Sequence, residues 1–270
     1  MSGDLQTPSE SLTMLLRTLR LPTFGQRHED LALVGERQGW SFGHYLHQLS
    51  EAEVEERRRR RVERALKASG LPAEKTLATL ELKRFSTTVR RLLPTLCEGD
   101  FIHQADNVLA FGLPGRGKTH IVCAIGHEMI QRGYRVLFVP AFRLVQQLLI
   151  AKRDLKLEAM LKKLDRFDVV ILDDIGYIQQ DRDEMEVLFT FLAERYERRS
   201  VMVTSNLVLS QWDKIFKDPM TTACAIERLV HHSVILELTG KSYRTEVAQK
   251  RNAENAAQTA AAKSTEDKKS

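Results

Sequence analysis

Cysteine is scarce in this chain of 270 residues. Only Cys97, Cys123 and Cys224 are present, an odd number with none of the close pairings that a zinc site requires. That excludes disulfide scaffolds and zinc modules, and a reduced, cytoplasmic setting is expected. Long hydrophobic runs are missing as well. No stretch approaches the roughly eighteen apolar residues of a membrane-spanning helix, so no membrane partner is expected. The start, Met1-Ser2-Gly3-Asp4, has neither the basic nor the apolar region of a secretory leader, and none is expected. What is present is ordinary for a folded chain. With 43% hydrophobic and 29% charged residues it is too apolar for wholesale disorder, and its length suits one large domain or two modest ones.

Charge is unevenly placed. Residues 55 to 95 hold twelve Lys and Arg against five acids, an excess larger than the whole chain's formal net charge of +5. A basic segment beside a near-neutral body is what a polyphosphate partner requires. Arg57, Arg58, Arg59, Arg60 and Arg61 are consecutive, so on a helix they point all round the axis rather than along one stripe. Glu53, Glu55 and Glu56 stand four residues before Arg57, Arg59 and Arg60, the favourable order for helix-surface pairs. A solvated helix and a DNA contact are both consistent with that run. Lys83, Arg84, Arg90 and Arg91 tilt the reading toward nucleic acid. Lys152, Arg153 and Lys156 are further candidates for phosphate contact.

The chain divides by pattern. Residues 1–70 read as a helical N-terminal assembly or DNA-binding domain. Within it, Leu12, Leu15, Leu16 and Leu19 follow a helical spacing that Ser11 can cap and that stops before Pro22. A second helix is expected from about Ser41, passing through the arginine run to Gly70-Leu71-Pro72. Residues 71–105 read as a connector with some helix around Thr87 to Leu93. From 106 to 250 the pattern changes to short apolar runs at Asn107–Phe111, Arg135–Val139, Asp168–Leu172, Val201–Thr204 and Val234–Leu238, with helical patterns between them. Such alternation predicts an α/β fold, a parallel sheet covered by helices on both faces. Residues 251–270 have almost no large apolar side chain and read as a flexible tail.

Gly112-Leu113-Pro114-Gly115-Arg116-Gly117-Lys118-Thr119 matches the phosphate-binding loop of P-loop NTPases without a gap, between an apolar strand pattern and an apolar helical one. Glycines let backbone amides turn inward around phosphate oxygens, and the helix that follows presents its positive end. Lys118 is placed to reach the terminal phosphates of ATP, and the Thr119 hydroxyl to ligate Mg²⁺. The second half of the site is Val169-Val170-Ile171-Leu172-Asp173-Asp174, a buried strand whose carboxyl end opens on the ligand crevice. Asp173 is expected to hold Mg²⁺, and Asp174 to orient and polarise the water that attacks the γ-phosphate. The strand 201–204 ends in Ser205-Asn206, which suits Asn206 to a place beside that water.

Arg228 lies in a helical run before the last strand. It can complete a neighbouring copy's site as an arginine finger, worth about 10³ to 10⁵ in rate, or pair with Glu227 on the surface. Spacing alone does not choose. Arg244 is a weaker candidate of the same kind.

These residues resemble the IstB-type transposition helper ATPases, close relatives of the DnaC helicase loaders within the AAA+ class. The likeness runs from about Leu12 to Thr245. It rests on Gly112–Thr119, Leu172–Tyr177, Arg195–Ser200 (Arg-Tyr-Glu-Arg-Arg-Ser), Thr204–Asn206, Arg228–His232 (Arg-Leu-Val-His-His) and Ser242–Arg244. The resemblance implies a bacterial protein whose AAA+ domain binds and hydrolyses ATP and whose copies oligomerise on double-stranded DNA. It also implies that they deform the target and recruit or regulate an IstA-type transposase. It makes Arg228 the finger acting in trans, Asn206 the polar sensor and Arg244 a second sensor in contact with ATP. Many relatives carry Asp-Glu where this chain has Asp173-Asp174, which implies slower hydrolysis or a closer water. Two other readings are set beside this one: a helicase loader that uses ATP as a switch, and a small-molecule kinase, for which no acceptor pocket or lid sequence is evident.

Overall fold

The structure is a computed structural model that describes residues 8–176, 182–208, 211–212 and 219–240, with 242–243, 245–246, 249 and 251–252 beyond them. The chain divides into two compact units between Arg64 and Ala65. Residues from 253 onward, where a flexible tail is expected, lie outside the described residues.

The smaller unit is helical: α1 (Pro8–Thr18), α2 (Pro22–Gln38) and most of α3 (Phe42–Ser69). Helix α2 departs from the expectation of two helices. It begins at Pro22, where a proline costs nothing because the first turn has no partner for its N–H. It ends at Gly39, whose left-handed backbone (φ 65°) closes the last turn on Glu36 and Gly35. Its apolar residues are sparse, so the hydrophobic spacing that revealed the other helices is faint here.

One buried carboxylate joins these helices. Glu53 of α3 accepts the backbone N–H of Thr23 at the start of α2 (2.9 Å) and the Arg57 Nε–H (2.6 Å). The same Arg57 guanidinium donates to the Arg20 carbonyl just after α1. Burial pushes the Glu53 carboxyl up, but the hydrogen bonds from Arg57 and Thr23 outweigh it, so its pKa lies below the ordinary value.

The larger unit holds a five-stranded sheet of β1 (Asn107–Phe111), β2 (Val136–Pro140), β3 (Val169–Ile175), β4 (Ser200–Ser205) and β5 (Ser233–Glu237). All pairings are parallel, in the order β2-β3-β4-β1-β5. Strands β1 and β4 are buried along their whole length and β3 through Leu172, as a sheet covered on both faces requires. Helices α6 (Lys118–Gln131), α7 (Ala141–Arg153), α8 (Leu157–Leu164), α9 (Arg182–Arg195) and α10 (Pro219–His231) fill the crossovers. Their buried faces meet the strands in a core that includes Leu144, Leu148, Leu172, Phe191 and Trp212. The Trp212 ring sits edge-on to Phe111 at 6.4 Å and its N–H reaches the Leu207 carbonyl (3.3 Å), so it is a packed core aromatic. Among the described residues no helix is long and apolar enough to cross a membrane.

Residues 71–105 are more than a connector. They carry a 3-10 turn (Leu82–Arg84), α4 (Thr87–Glu98) and α5 (Asp100–His103). The segment is strapped to α6 by two imidazoles: His120 lies 3.1 Å from Thr79 Oγ1 and 3.2 Å from the Thr76 carbonyl, and His127 lies 3.0 Å from the Pro72 carbonyl. Cys97 and Cys123 are free buried thiols, pushed by burial up to about 11 and about 12, and so stay protonated at neutral pH.

The run Arg195–Ser200 proves to be architecture. The buried Arg195 guanidinium donates to the carbonyls of Leu164 (3.2 Å), Phe167 (3.0 Å), Asp168 (3.2 Å) and Ser200 (2.9 Å). It thus holds the end of α8, the approach to β3 and the start of β4 around one cation. Burial pulls its pKa down to about 10, which leaves it charged at neutral pH. Arg199 and Arg198 add ion pairs to Asp168 (2.7 Å) and Asp165 (2.9 Å).

Two outcomes follow from these buried charges. Arg195→Met removes the buried donor shared by these four carbonyls and is expected to lower unfolding free energy by about 3 kcal/mol, read from the urea midpoint. Glu53→Gln is expected to destabilise the helical unit by about 1 to 2 kcal/mol at neutral pH. Because the native pKa of Glu53 is lowered, its contribution is full above the ordinary glutamate range and is lost as pH falls through the native value. The variant and the parent chain should therefore converge in acid, as followed by circular dichroism.

Candidate nucleotide site

Every strand of a parallel sheet ends on the same side, and the chemistry-bearing residues gather there. Strand β1 runs into the Gly112–Thr119 loop, which hands over to α6 at Lys118. The glycines are required by crowding as well as by backbone angle. At Gly112 (φ 151°) an added Cβ would run into the Leu238 carbonyl, and at Gly115 (φ 78°) it would meet the Ser242 hydroxyl. The loop therefore lies tight against the chain that follows β5, and the Tyr243 N–H donates to the Gly115 carbonyl (2.9 Å).

Lys118 is 7% exposed, unusual for a lysine. Its ammonium donates to the carbonyls of Gly112 (2.6 Å) and Leu113 (3.1 Å) and to Asn206 Oδ1 (2.6 Å). Thr119 Oγ1 donates to Asp173 Oδ1 (2.8 Å), and Asn206 Nδ2 donates to Asp174 Oδ1 (2.9 Å). The loop lysine and threonine, both aspartates and the asparagine thus converge. Strand β4, not the sequentially intervening β2, stands between β1 and β3 and carries Asn206 between the loop and the carboxylates. Arg116 is half-buried in the loop, and Pro114 is exposed at its turn.

Thr204 opens the Thr204–Asn206 segment, but its spacing gives it no role. The buried Thr204 hydroxyl donates to Asp173 Oδ1 (2.7 Å) and accepts the Asp174 N–H (2.8 Å).

The donor set fits a magnesium nucleotide. A threonine hydroxyl and a carboxylate 2.8 Å apart at the root of a glycine-lined loop offer the hard oxygen ligands that Mg²⁺ takes. Lys118 places a buried ammonium at the same loop.

Arg228 is elsewhere. It lies near the end of α10, at the opposite end of the sheet, where it lines a small cavity with Asn107, Tyr196 and Arg199. It is exposed and makes no ion pair or hydrogen bond among the described residues, so pairing with Glu227 is absent. The runs Arg195–Ser200 and Arg228–His232 meet beside it: Tyr196 Oη lies 3.0 Å from His231 Nδ1, and the His232 carbonyl accepts the Asn107 N–H (2.7 Å). Arg244 lies outside the described residues.

The basic candidates separate into two groups. Arg57 is paired with Glu53, Arg59 with Glu56 and Glu63, and Arg60 with Glu56. Arg59, against a smaller opposing effect of burial, and then Arg60 hold the Glu56 carboxyl down at about 2. Arg84 pairs with Glu81 and Glu246 and lies over the Tyr243 ring, Lys152 pairs with Asp183 and Glu186, and Arg153 with Asp154. Arg90 donates to Thr87 Oγ1 (3.3 Å) and carries no ion pair among the described residues. Arg58 and Arg61 in the smaller unit, and Lys83, Arg91 and Lys156 in the larger, are exposed and carry no ion pair among the described residues.

The chain is 41% identical over 234 residues to an insertion sequence ATP-binding protein of Sinorhizobium fredii, covering 86% of this chain and 78% of that one. It is 35% identical over 226 residues to the IS5376 ATP-binding protein of Geobacillus stearothermophilus, covering 84% and 90%. Among solved structures, DnaI superposes with a TM-score of 0.53 at 22% identity, covering 63% of this chain and 95% of that one. The DnaC helicase loader gives 0.51 at 18%, covering 62% and 98%. At such identity the likeness is one of fold, and the fold is that of the AAA+ P-loop proteins. Residues 14–253 match the IstB-like ATP binding protein family, and with the loop, the acidic strand and the asparagine in place the chain belongs to that family.

Proposed function

We propose that this protein hydrolyses ATP and uses it to assemble on duplex DNA during transposition, where it recruits or regulates an IstA-type transposase. The observation that carries hydrolysis is the linked set Lys118–Asn206–Asp174 beside Thr119–Asp173, two carboxylates held apart by different partners. In this reading the loop amides and Lys118 hold the triphosphate, with Arg116 and Pro114 shaping the loop, and Arg244, outside the described residues, keeps the ATP contact that the family resemblance implies. Thr119 and Asp173 would hold Mg²⁺, which would supply charge neutralisation to the triphosphate when bound. Asp174 takes up the proton of the attacking water and Asn206 fixes that carboxylate. The insertion-sequence relatives favour transposition over the helicase-loader alternative.

Arg228 supports assembly. An exposed, unpaired arginine at the far end of the sheet cannot serve its own nucleotide, so it acts on the site of a neighbouring copy. For DNA, the unpaired cations Arg58, Arg61, Lys83, Arg91 and Lys156, with Arg90, are the ones free to meet backbone phosphates. Binding then varies little with sequence.

Hydrolysis assays with Mg²⁺, ATP and duplex DNA test the reading. Lys118→Ala is expected to lose ATP binding and assembly on DNA. Asp174→Asn should still bind ATP but turn over at least about 100-fold more slowly; normal DNA-stimulated hydrolysis by this variant refutes the assignment.

Arg228→Ala should bind ATP and hydrolyse it about 10³-fold more slowly. Mixing it with Lys118→Ala subunits should restore activity, because each variant supplies what the other lacks. No recovery in a mixture shown to co-assemble rejects action across an interface.

A further inference from the structure

In a regular strand, neighbouring side chains point to opposite faces. Asp173 and Asp174 are neighbours on β3, yet both engage the nucleotide site, one bonded to Thr119 and the other to Asn206. The backbone explains how. The pairing of β3 with β4 shifts register between Leu172 and Ile175, and Asp174 adopts a left-handed conformation (φ 64°). For an aspartate that conformation is unfavourable, so something must hold it.

The Thr204 side chain does. It is 1% exposed, and its hydroxyl accepts the Asp174 N–H (2.8 Å) at the bulge where the ladder is interrupted. The same hydroxyl donates its one proton to Asp173 Oδ1 (2.7 Å), which also receives Thr119 (2.8 Å). Asp173 Oδ1 is thereby occupied twice by protein, and Oδ2 carries no hydrogen bond among the described residues. One hydroxyl, used once as donor and once as acceptor, sets both carboxylates.

We infer that Thr204 is a positioning residue for hydrolysis: it fixes Asp173 toward the metal and Asp174 toward the attacking water, without touching either. The inference rests on the hydrolytic reading above. Thr204→Val keeps the shape and the β-branch but removes the hydroxyl, whereas Thr204→Ser keeps the hydroxyl. Valine is expected to lower kcat by about 10- to 100-fold and to raise the Mg²⁺ concentration at half-maximal rate about tenfold, as for other residues that orient metal ligands. KM for ATP at saturating Mg²⁺ should stay within about threefold, because the loop is untouched, and serine should return kcat and the Mg²⁺ requirement to within about threefold of the parent chain. A packing role alone would lower the melting temperature of both variants and leave the Mg²⁺ requirement where it was.

Valine that hydrolyses within about twofold of the parent with the same Mg²⁺ requirement overturns the inference. So does serine that fails as badly as valine. Should valine not fold, Thr204→Ala takes its place with the same expectation. If the parent chain binds ATP and never hydrolyses it, the functional reading fails, and titration of Mn²⁺ into the ATP complexes of the parent and variant still decides Thr204. A tenfold weaker Mn²⁺ affinity in the variant supports the assignment, and equal affinity overturns it.

Discussion

A parallel sheet has two unlike ends, and that polarity governs where chemistry can occur in this chain. The carboxyl ends of β1, β3 and β4 deliver the loop, the two aspartates and Asn206 to one place. The order β2-β3-β4-β1-β5 puts β4 between the loop strand and the acidic strand, so its terminal residues can touch both. The helix before β5 delivers Arg228 to the other end. The same polarity that assembles the nucleotide site keeps this arginine away from it. Under the proposed reading, self-association is then a geometric requirement for turnover.

Features carried by local spacing were legible before any coordinates. The loop between a strand and a helix, the apolar run ending in Asp173-Asp174 and the polar end of β4 each announce themselves within a few residues. Their convergence was less legible, because it depends on which strand lies beside which. Sequence order places β2 between the loop strand and the acidic strand, and only the crossover topology replaces it with β4. Helix α2 was missed because its apolar positions are sparse and its boundaries rest on Pro22 and Gly39. The run Arg195–Ser200 was visible as a family mark but silent about its work. Nothing in its spacing says that one guanidinium will serve four carbonyls drawn from three elements.

The arginine run illustrates how net charge and available charge differ. Its excess of cations is real, yet Glu53, Glu56 and Glu63 engage Arg57, Arg59 and Arg60 on the same helix. Glu53 does so as a structural group that joins three helices, so its partner Arg57 is committed to the fold. Arg84 is committed likewise, between Glu81 and Glu246. Exposed surface pairs are weak and exchange readily with phosphate. Glu53 is buried and also holds the Thr23 N–H, which ties its partner Arg57 to the fold, so counting basic residues overstates the charge that is available.

Asparagine, rather than aspartate, at position 206 follows from the charges on either side of it. Its oxygen accepts from the Lys118 ammonium (2.6 Å) and its nitrogen donates to the Asp174 carboxylate (2.9 Å). Turning the amide over would set NH₂ against ammonium and carbonyl against carboxylate, so opposite charges on the two flanks select one orientation. An aspartate there would satisfy Lys118 but repel Asp174, and a leucine would satisfy neither. The amide is the side chain of this length that ties the loop lysine to the second carboxylate without adding charge between them. A left-handed residue at 174 brings that carboxylate within its reach, although an aspartate is one methylene shorter than a glutamate. The bulge in β3, the hydroxyl that closes it and the amide that reads it therefore meet at one residue, Asp174.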